Sequence, residues 1–330
     1  MKCVATADGR RPLSRDARIF LEQCQRHVLP TAACAVDELP EHLDGPALAT
    51  ALPTPGRRRD AVRLGTIMVF VDPSLDAEAV DLVARIAAAL GVDEGSVDDL
   101  WRIAHRQADE AQACVMRRSL RWMTGLDMPT FRQAEKANAA RDTSSPAVVD
   151  RYERLLDRAE GTLGHELGRY YANNGFPFPG TQGGHAIEVV GLHDVHHVLA
   201  GYPTSINGEF ALAGFTASVS RREPLDHLVF VLLTWHVGNS ESPTGVAQAA
   251  IEPEHFFDGI GRGAHVHLDV TRTDWDWAAY LDHPLDELRE QIGVPDGFWV
   301  GPMGHWQSSA WPDPPRSAGS NEIPVTPPRS

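Results

Sequence analysis

The chain has 330 residues, 42% of them hydrophobic and 23% charged, an ordinary globular balance with length enough for two domains. Its net charge of −15 is uneven: residues 1–146 carry 19 Lys+Arg against 21 Asp+Glu, residues 147–330 carry 11 against 24. Such acidity argues against nucleic acid as a partner, since that needs basic patches, and against simple electrostatic binding to anionic membranes.

From the N-terminus, residues 1–55 are mixed, and the Pro- and Leu-rich stretch 39–56 reads as loop. The pattern is helical from 60 to 125. Asp76 to Leu90 repeats Val80, Val83, Ala87 and Leu90 on one face, with Asp76 placed to cap the start and Gly91 to close the end. Residues 97–123 predict a longer helix with Leu100, Ile103, Ala104, Ala111 and Val115 on its inner side. The small, polar segment KANAARDTSSPA at 136–147 marks a domain boundary. Beyond it, helices are expected at 147–173, 185–200, 209–220, 225–237, 244–258 and 275–291. Short loops and the lack of alternating strand patterns predict an all-α fold of two helical domains, the second a bundle. The tail 310–330 is rich in Pro and Ser and is expected to be disordered.

Cys3, Cys24, Cys34 and Cys114 match no zinc ribbon or finger spacing. The N-terminal stretch MKCVATADGRRPLSRDAR has no apolar signal core, and the longest apolar run, LVFVLLTW at 228–235, is too short to span a bilayer. A cytoplasmic protein with reduced thiols is the expectation.

The stretch HDVHHVLAGYPTSINGE, residues 193–209, carries the chemistry. His193, Asp194 and His197 fall within about 100° of helical arc, the two histidines at i and i+4 on one face. Neutral imidazole and carboxylate are common ligands for zinc and other first-row divalent metals. Gly201 and Pro203 then end the helix, Asn207-Gly208 reads as a turn, and Glu209 opens the next helix. A chain that reverses there can return Glu209 to the first helix, from a direction a single helix cannot offer. The competing reading is a polar helix face with Glu209 at a helix start.

The other candidates are weaker. His196 lies elsewhere on the helix arc, as a supporting or exposed residue. His165, His185 and His236 read as surface or helix-end residues, and the AHVH of 264–267 as a loop. Cys24 and Cys34 read as small buried hydrophobes, 228–235 as core, and Arg57, Arg58 and Arg59 as a solvated loop.

HDVHHVLAGYPTSINGE resembles the signature of the Coq-four family of ubiquinone (coenzyme Q) biosynthesis, in which HDxxH is followed after eleven residues by Glu. GTLGHELGRYY at 161–171 and GRGAHVHLDVTRTDWDWAAYLDHPLDELREQIGV at 261–294 are similar to two further family segments, so the likeness spans about residues 150–295. It implies His193, Asp194, His197 and Glu209 as ligands of one divalent metal, zinc foremost and iron as the alternative. It also implies a helical, often dimeric protein with an apolar cavity suited to a prenyl tail, linked to replacing a ring carboxylate at C1 by a hydroxyl. The chain departs from the family before the HD pair, where EVVGL at 188–192 replaces an Arg/Tyr/Glu-rich run. In the first half, VRLGTIMVFVDPSLDAEAVDLVARIAAALGV at 62–92 is weakly similar to tellurite-resistance TerB-like helical domains, with Asp72-Pro73 in place of their Asp-Gly pair.

These readings divide the chain into a helical accessory domain at 1–140, a metal-binding helical domain at 147–297 and a disordered tail at 308–330. The leading expectation is a metal-dependent enzyme, a lyase or oxidative decarboxylase, acting on a prenylated aromatic quinone precursor. The first alternative is a non-catalytic lipid-binding scaffold that organises quinone-biosynthesis enzymes around a structural zinc. The second is an HD-type phosphohydrolase, which would recruit His165 or His185 together with Asp226. Expected partners are a prenylated quinone precursor or similar lipid, other enzymes of that biosynthesis and a second copy of the chain. Peripheral contact with the inner face of a membrane fits the same reading.

Overall fold

The computed structural model of the chain describes residues 1–29, 34–72, 75–105, 114–121, 125–139, 146–181, 184, 189–220, 228–229, 231–233 and 250–295. Among these residues no strand forms, and the isolated antiparallel bridge is Thr162 with Pro284. In chain order the helices are α1 (Lys2–Ala5), α2 (Arg15–His27), α3 (Gly45–Ala51), α4 (Pro55–Met68), α5 (Ala77–Leu90), α6 (Gly95–Ala104) and α7 (Met128–Ala139). They continue with α8 (Pro146–Glu153), α9 (Leu163–Asn174), α10 (Val189–Ala200), α11 (Ile206–Val219), α12 (Pro253–Gly263) and α13 (Leu285–Ile292). No helix among the described residues is long and apolar enough to cross a membrane. The chain divides into two compact units, one of residues 1–119 with the described part of 225–257, the other of 120–224 with the described part of 258–316.

In the first unit α5 packs against α1, α3, α4 and α6. Asp76 caps it by accepting from the Glu78 N–H, Gly91 closes it at φ 64, and Val80, Val83, Ala87 and Leu90 are all buried. The stretch expected as loop at 39–56 instead holds α3 and the start of α4. Asp44 and Thr54 accept from Ala47 and Arg57 N–H groups, and Pro46 and Pro55 sit in the first turns, where a missing N–H costs nothing. Arg57–Arg59 therefore lie on α4 rather than in a solvated loop, and Arg58 donates to the carbonyls of Ala49, Leu52 and Leu90. The expected helix at 97–123 begins as α6, with Leu100, Ile103 and Val115 buried; residues 106–113 lie outside the described ones. Leu228, Val229, Leu232 and Leu233 of the apolar run are core, and Phe257 meets Phe20 edge-on at 4.9 Å.

The second unit carries the HDxxH segment. The expected single helix at 147–173 breaks into α8, a 3-10 turn at Leu155–Asp157, and α9. Thr162 caps α9 by accepting from the His165 N–H at 3.3 Å. The N–H groups of Leu163 and Gly164, which the helix cannot satisfy, donate to the His283 and Leu281 carbonyls at 2.9 and 2.8 Å. The core joins Leu163 and Leu167 of α9, Val195, Val198 and Leu199 of α10, Leu212 and Phe215 of α11, and Leu285, Leu288 and Ile292 of α13. Each such side chain contributes about 1.5–3 kcal/mol of burial.

α10 ends where expected, with Gly201 at φ 75, a conformation only glycine adopts without strain. α11 starts earlier than expected, because Ser205 caps it by accepting from the Gly208 N–H. Asn207 and Gly208 are thus in its first turn, not in a separate turn. Where α12 passes α11 the approach is close: a Cβ on Gly259 would stand 1.9 Å from the Ala211 carbonyl oxygen. The tail 308–330 lies outside the described residues, as do His185, Asp226 and His236.

Candidate metal centre

α10 presents His193 and His197 one turn apart, and α11 brings Glu209 to them. The Nε2 atoms of the two histidines are 3.2 Å apart. Glu209 Oε1 is 3.2 Å from His197 Nε2, and its Oε2 is 3.6 Å from His193 Nε2. One ligand atom from each residue lies within 4.8 Å of those of the other two, the one such group of His, Cys, Asp and Glu among the described residues. Ligands at 2.0–2.1 Å around a tetrahedral ion stand about 3.3 Å from one another, so the spacing fits a shared cation.

The surrounding hydrogen bonds set the ring orientation. His197 is fully buried, and its Nδ1 faces the Tyr202 carbonyl at 3.0 Å. A carbonyl only accepts, so Nδ1 carries a proton, and in the neutral ring that a metal requires Nε2 would offer its lone pair towards His193 and Glu209. The Tyr170 ring stacks on His197 at 5.5 Å. His193 is 44% exposed at its side chain and forms the open side of the cluster.

Asp194 stands outside the group of three. It is 5% exposed, its Oδ1 accepts from the Tyr170 hydroxyl at 3.1 Å, and its Oδ2 accepts from the Tyr171 hydroxyl. Both tyrosines lie on α9, so this carboxylate ties α9 to α10.

The charges are coupled. Loss of solvent works against charge on His193, but the hydrogen bond and charge of Glu209, with the charge of Asp194, outweigh it and raise its pKa. Burial pushes the Glu209 carboxyl up, yet the two imidazoles hold it well below the usual carboxylate range. Asp194 is raised by burial, against the pull of His193, His197 and the two hydroxyls. Burial, and then the charge of Asp194, push the Tyr170 and Tyr171 hydroxyls well above the ordinary phenol value, which keeps them neutral donors.

The remaining candidates fall elsewhere. His196 is buried rather than exposed: its Nε2 bonds the Val270 carbonyl at 3.0 Å, and burial pushes its pKa down to about 4. His165 lies 3.5 Å from Glu166, outside the trio. His265 and His267 are exposed, and His267 bonds the Gln291 carbonyl. Sequence reasoning missed Arg262 and Arg289. Both are buried: Arg289 donates to the Val198 and Leu199 carbonyls and Arg262 to that of Ala200, so the last carbonyls of α10 are held by two guanidiniums. It missed the tyrosine pair too, although Tyr170 and Tyr171 stand three and four residues after Leu167, on its side of the helix, where a buried hydroxyl must find a partner.

No protein-family model matches the chain, and no curated protein matches it. A crystal structure from Nostoc punctiforme, named as that of a candidate ubiquinone biosynthesis protein, overlaps 72% of this chain and 99% of its own at 18% identity, with a TM-score of 0.32. That likeness is loose, and the site stands on its own geometry.

Proposed function

We propose that the chain is a metal-dependent enzyme acting on a prenylated aromatic ring acid, the class of a quinone precursor. The observation that carries the reading is the convergence of His193, His197 and Glu209 from two helices. When bound, a divalent ion would supply Lewis-acid stabilisation for negative charge on a ring carboxylate or phenolate. His197 would be held in its ligating tautomer by the Tyr202 carbonyl, and Glu209 would stay ionised between the imidazoles. Exchange of the C1 carboxylate for a hydroxyl releases carbon dioxide and takes one atom of dioxygen onto the ring, while the other leaves as water with two electrons and two protons from an external reductant. Zinc is redox-inert, so that reaction with zinc requires oxygen to attack the ring directly, and iron is the alternative. The substrate class comes from the likeness of HDVHHVLAGYPTSINGE and its two companion segments to the Coq-four family, as do a second copy of the chain, other quinone-biosynthesis enzymes and peripheral membrane contact.

The test is incubation of metal-loaded protein with a prenylated 4-hydroxybenzoate and ascorbate as reductant in air, followed by mass spectrometry. Loss of the carboxylate mass with gain of oxygen, absent in His197→Ala, is the expected result. Bound but unchanged lipid would favour the scaffold with a structural zinc, and hydrolysis of phosphate esters would favour the phosphohydrolase.

A further inference from the structure

We infer that Asp194 is a positioning residue and not a metal ligand, so the ion is held by three protein groups and keeps a position open, on the His193 side, for an exogenous oxygen or nitrogen donor. This rests on the metal reading above and says what kind of site it is. A closed structural site takes four protein ligands, whereas a reactive one keeps a position free.

Three observations carry the assignment. Asp194 directly follows His193 but is not among the groups whose ligand atoms converge. Its two oxygens are each engaged by a hydroxyl from α9, Tyr170 on Oδ1 and Tyr171 on Oδ2. Both hydroxyls belong to side chains no more than 2% exposed, within one packed cluster with Tyr152 and Phe178, so they are fixed partners. The carboxylate thus braces α10 against α9, while His197 takes the stacking of Tyr170 on its ring. Opposite this buried wall, His193 is 44% and Glu209 15% exposed, so an added ligand approaches from their side.

The test uses the full chain loaded with cobalt(II), whose visible bands report coordination. Wild type, Asp194→Asn, Asp194→Ala, Tyr171→Phe and Glu209→Gln are compared by bound-metal content, competition affinity and spectrum. Asn keeps an oxygen for a tyrosine hydroxyl, so Asp194→Asn is expected to bind one cobalt with affinity within about tenfold of wild type and an unchanged spectrum. Asp194→Ala is expected to bind more weakly than Asp194→Asn. Azide added to the wild type is expected to shift the bands, through the open position. In Tyr171→Phe, which frees one carboxylate oxygen, the band positions are expected to persist.

Loss of cobalt from a folded Asp194→Asn by a factor of about a hundred or more, comparable to Glu209→Gln, would overturn the inference. So would a wild-type spectrum indifferent to azide. If Asp194→Asn does not fold, Tyr171→Phe decides: a new, weaker band pattern of higher coordination number would mean that the freed carboxylate ligates. Wild type that takes up no cobalt would defeat the metal reading itself, a separate outcome.

Discussion

At His193 a proton and the proposed metal ion would compete. A ligating imidazole must be neutral, and Glu209 and Asp194 raise the His193 pKa above its ordinary value of 6.5. Binding would therefore displace a proton wherever this imidazole is charged, and affinity would rise with pH up to and through that raised value. Competition titrations between about pH 6 and about pH 8 are expected to show tighter binding at the higher end, with proton release by calorimetry in buffers of different ionisation enthalpy. In Glu209→Gln the affinity falls overall, and its pH dependence moves to lower pH because the raising charge is gone. A flat profile in the wild type over that range would mean that His193 is not a ligand. At this scale the sequence was informative about the converging side chains, since HDxxH fixes two imidazoles on one helical face. It was silent about Asp194's partners, because which hydroxyl meets which carboxylate depends on how α9 lies against α10.

At the scale of the element, α10 is held at places beyond the Asp194 brace. Gly201 closes it, His196 pins it to Val270, and Arg262 with Arg289 take its last carbonyls. Arg289→Met keeps the buried stem but leaves the Val198 and Leu199 carbonyls without their donors. It is expected to cost about 2–4 kcal/mol in urea denaturation, and a loss below about half a kcal/mol would refute the clamp. Gly259→Ala tests the crossing of α11 and α12, where the added methyl meets the Ala211 carbonyl oxygen. It is expected to destabilise by about 1–3 kcal/mol or more by the same measurement. Local rules located elements well where a cap, an apolar stripe and a terminal glycine agreed, as for α5. They fail at 39–56, where the Pro-rich composition reads as loop although Asp44 and Thr54 stand ready to cap helices just before Pro46 and Pro55. The long Arg side chains that cap α10 from 62 and 90 residues away have no local signature at all.

At the scale of the whole molecule, the all-α architecture was legible from periodicity, because helices bury one stripe and the stripes recur along the chain. The placing of the described part of 225–257 in the first unit was not, since sequence order says nothing of a return to an earlier core. The second unit's core also encloses a neutral histidine. His196 has its pKa lowered from 6.5 to about 4 by burial, so the folded state binds fewer protons there than the unfolded chain. Its contribution to stability is present above about pH 6.5 and is lost as pH falls towards about 4. Urea denaturation is expected to show stability falling across that window, with a shallower fall in His196→Gln; equal slopes in the two proteins would contradict the assignment.

His193, His197 and Glu209 are proposed to hold a metal ion. Elemental analysis of protein purified without a metal-affinity tag, beside a His193→Ala, His197→Ala variant, tests it most directly. About one divalent ion per chain is expected in the wild type and less than about a tenth of that in a variant whose helical signal is intact. Wild-type protein that neither carries nor takes up a divalent ion would contradict it.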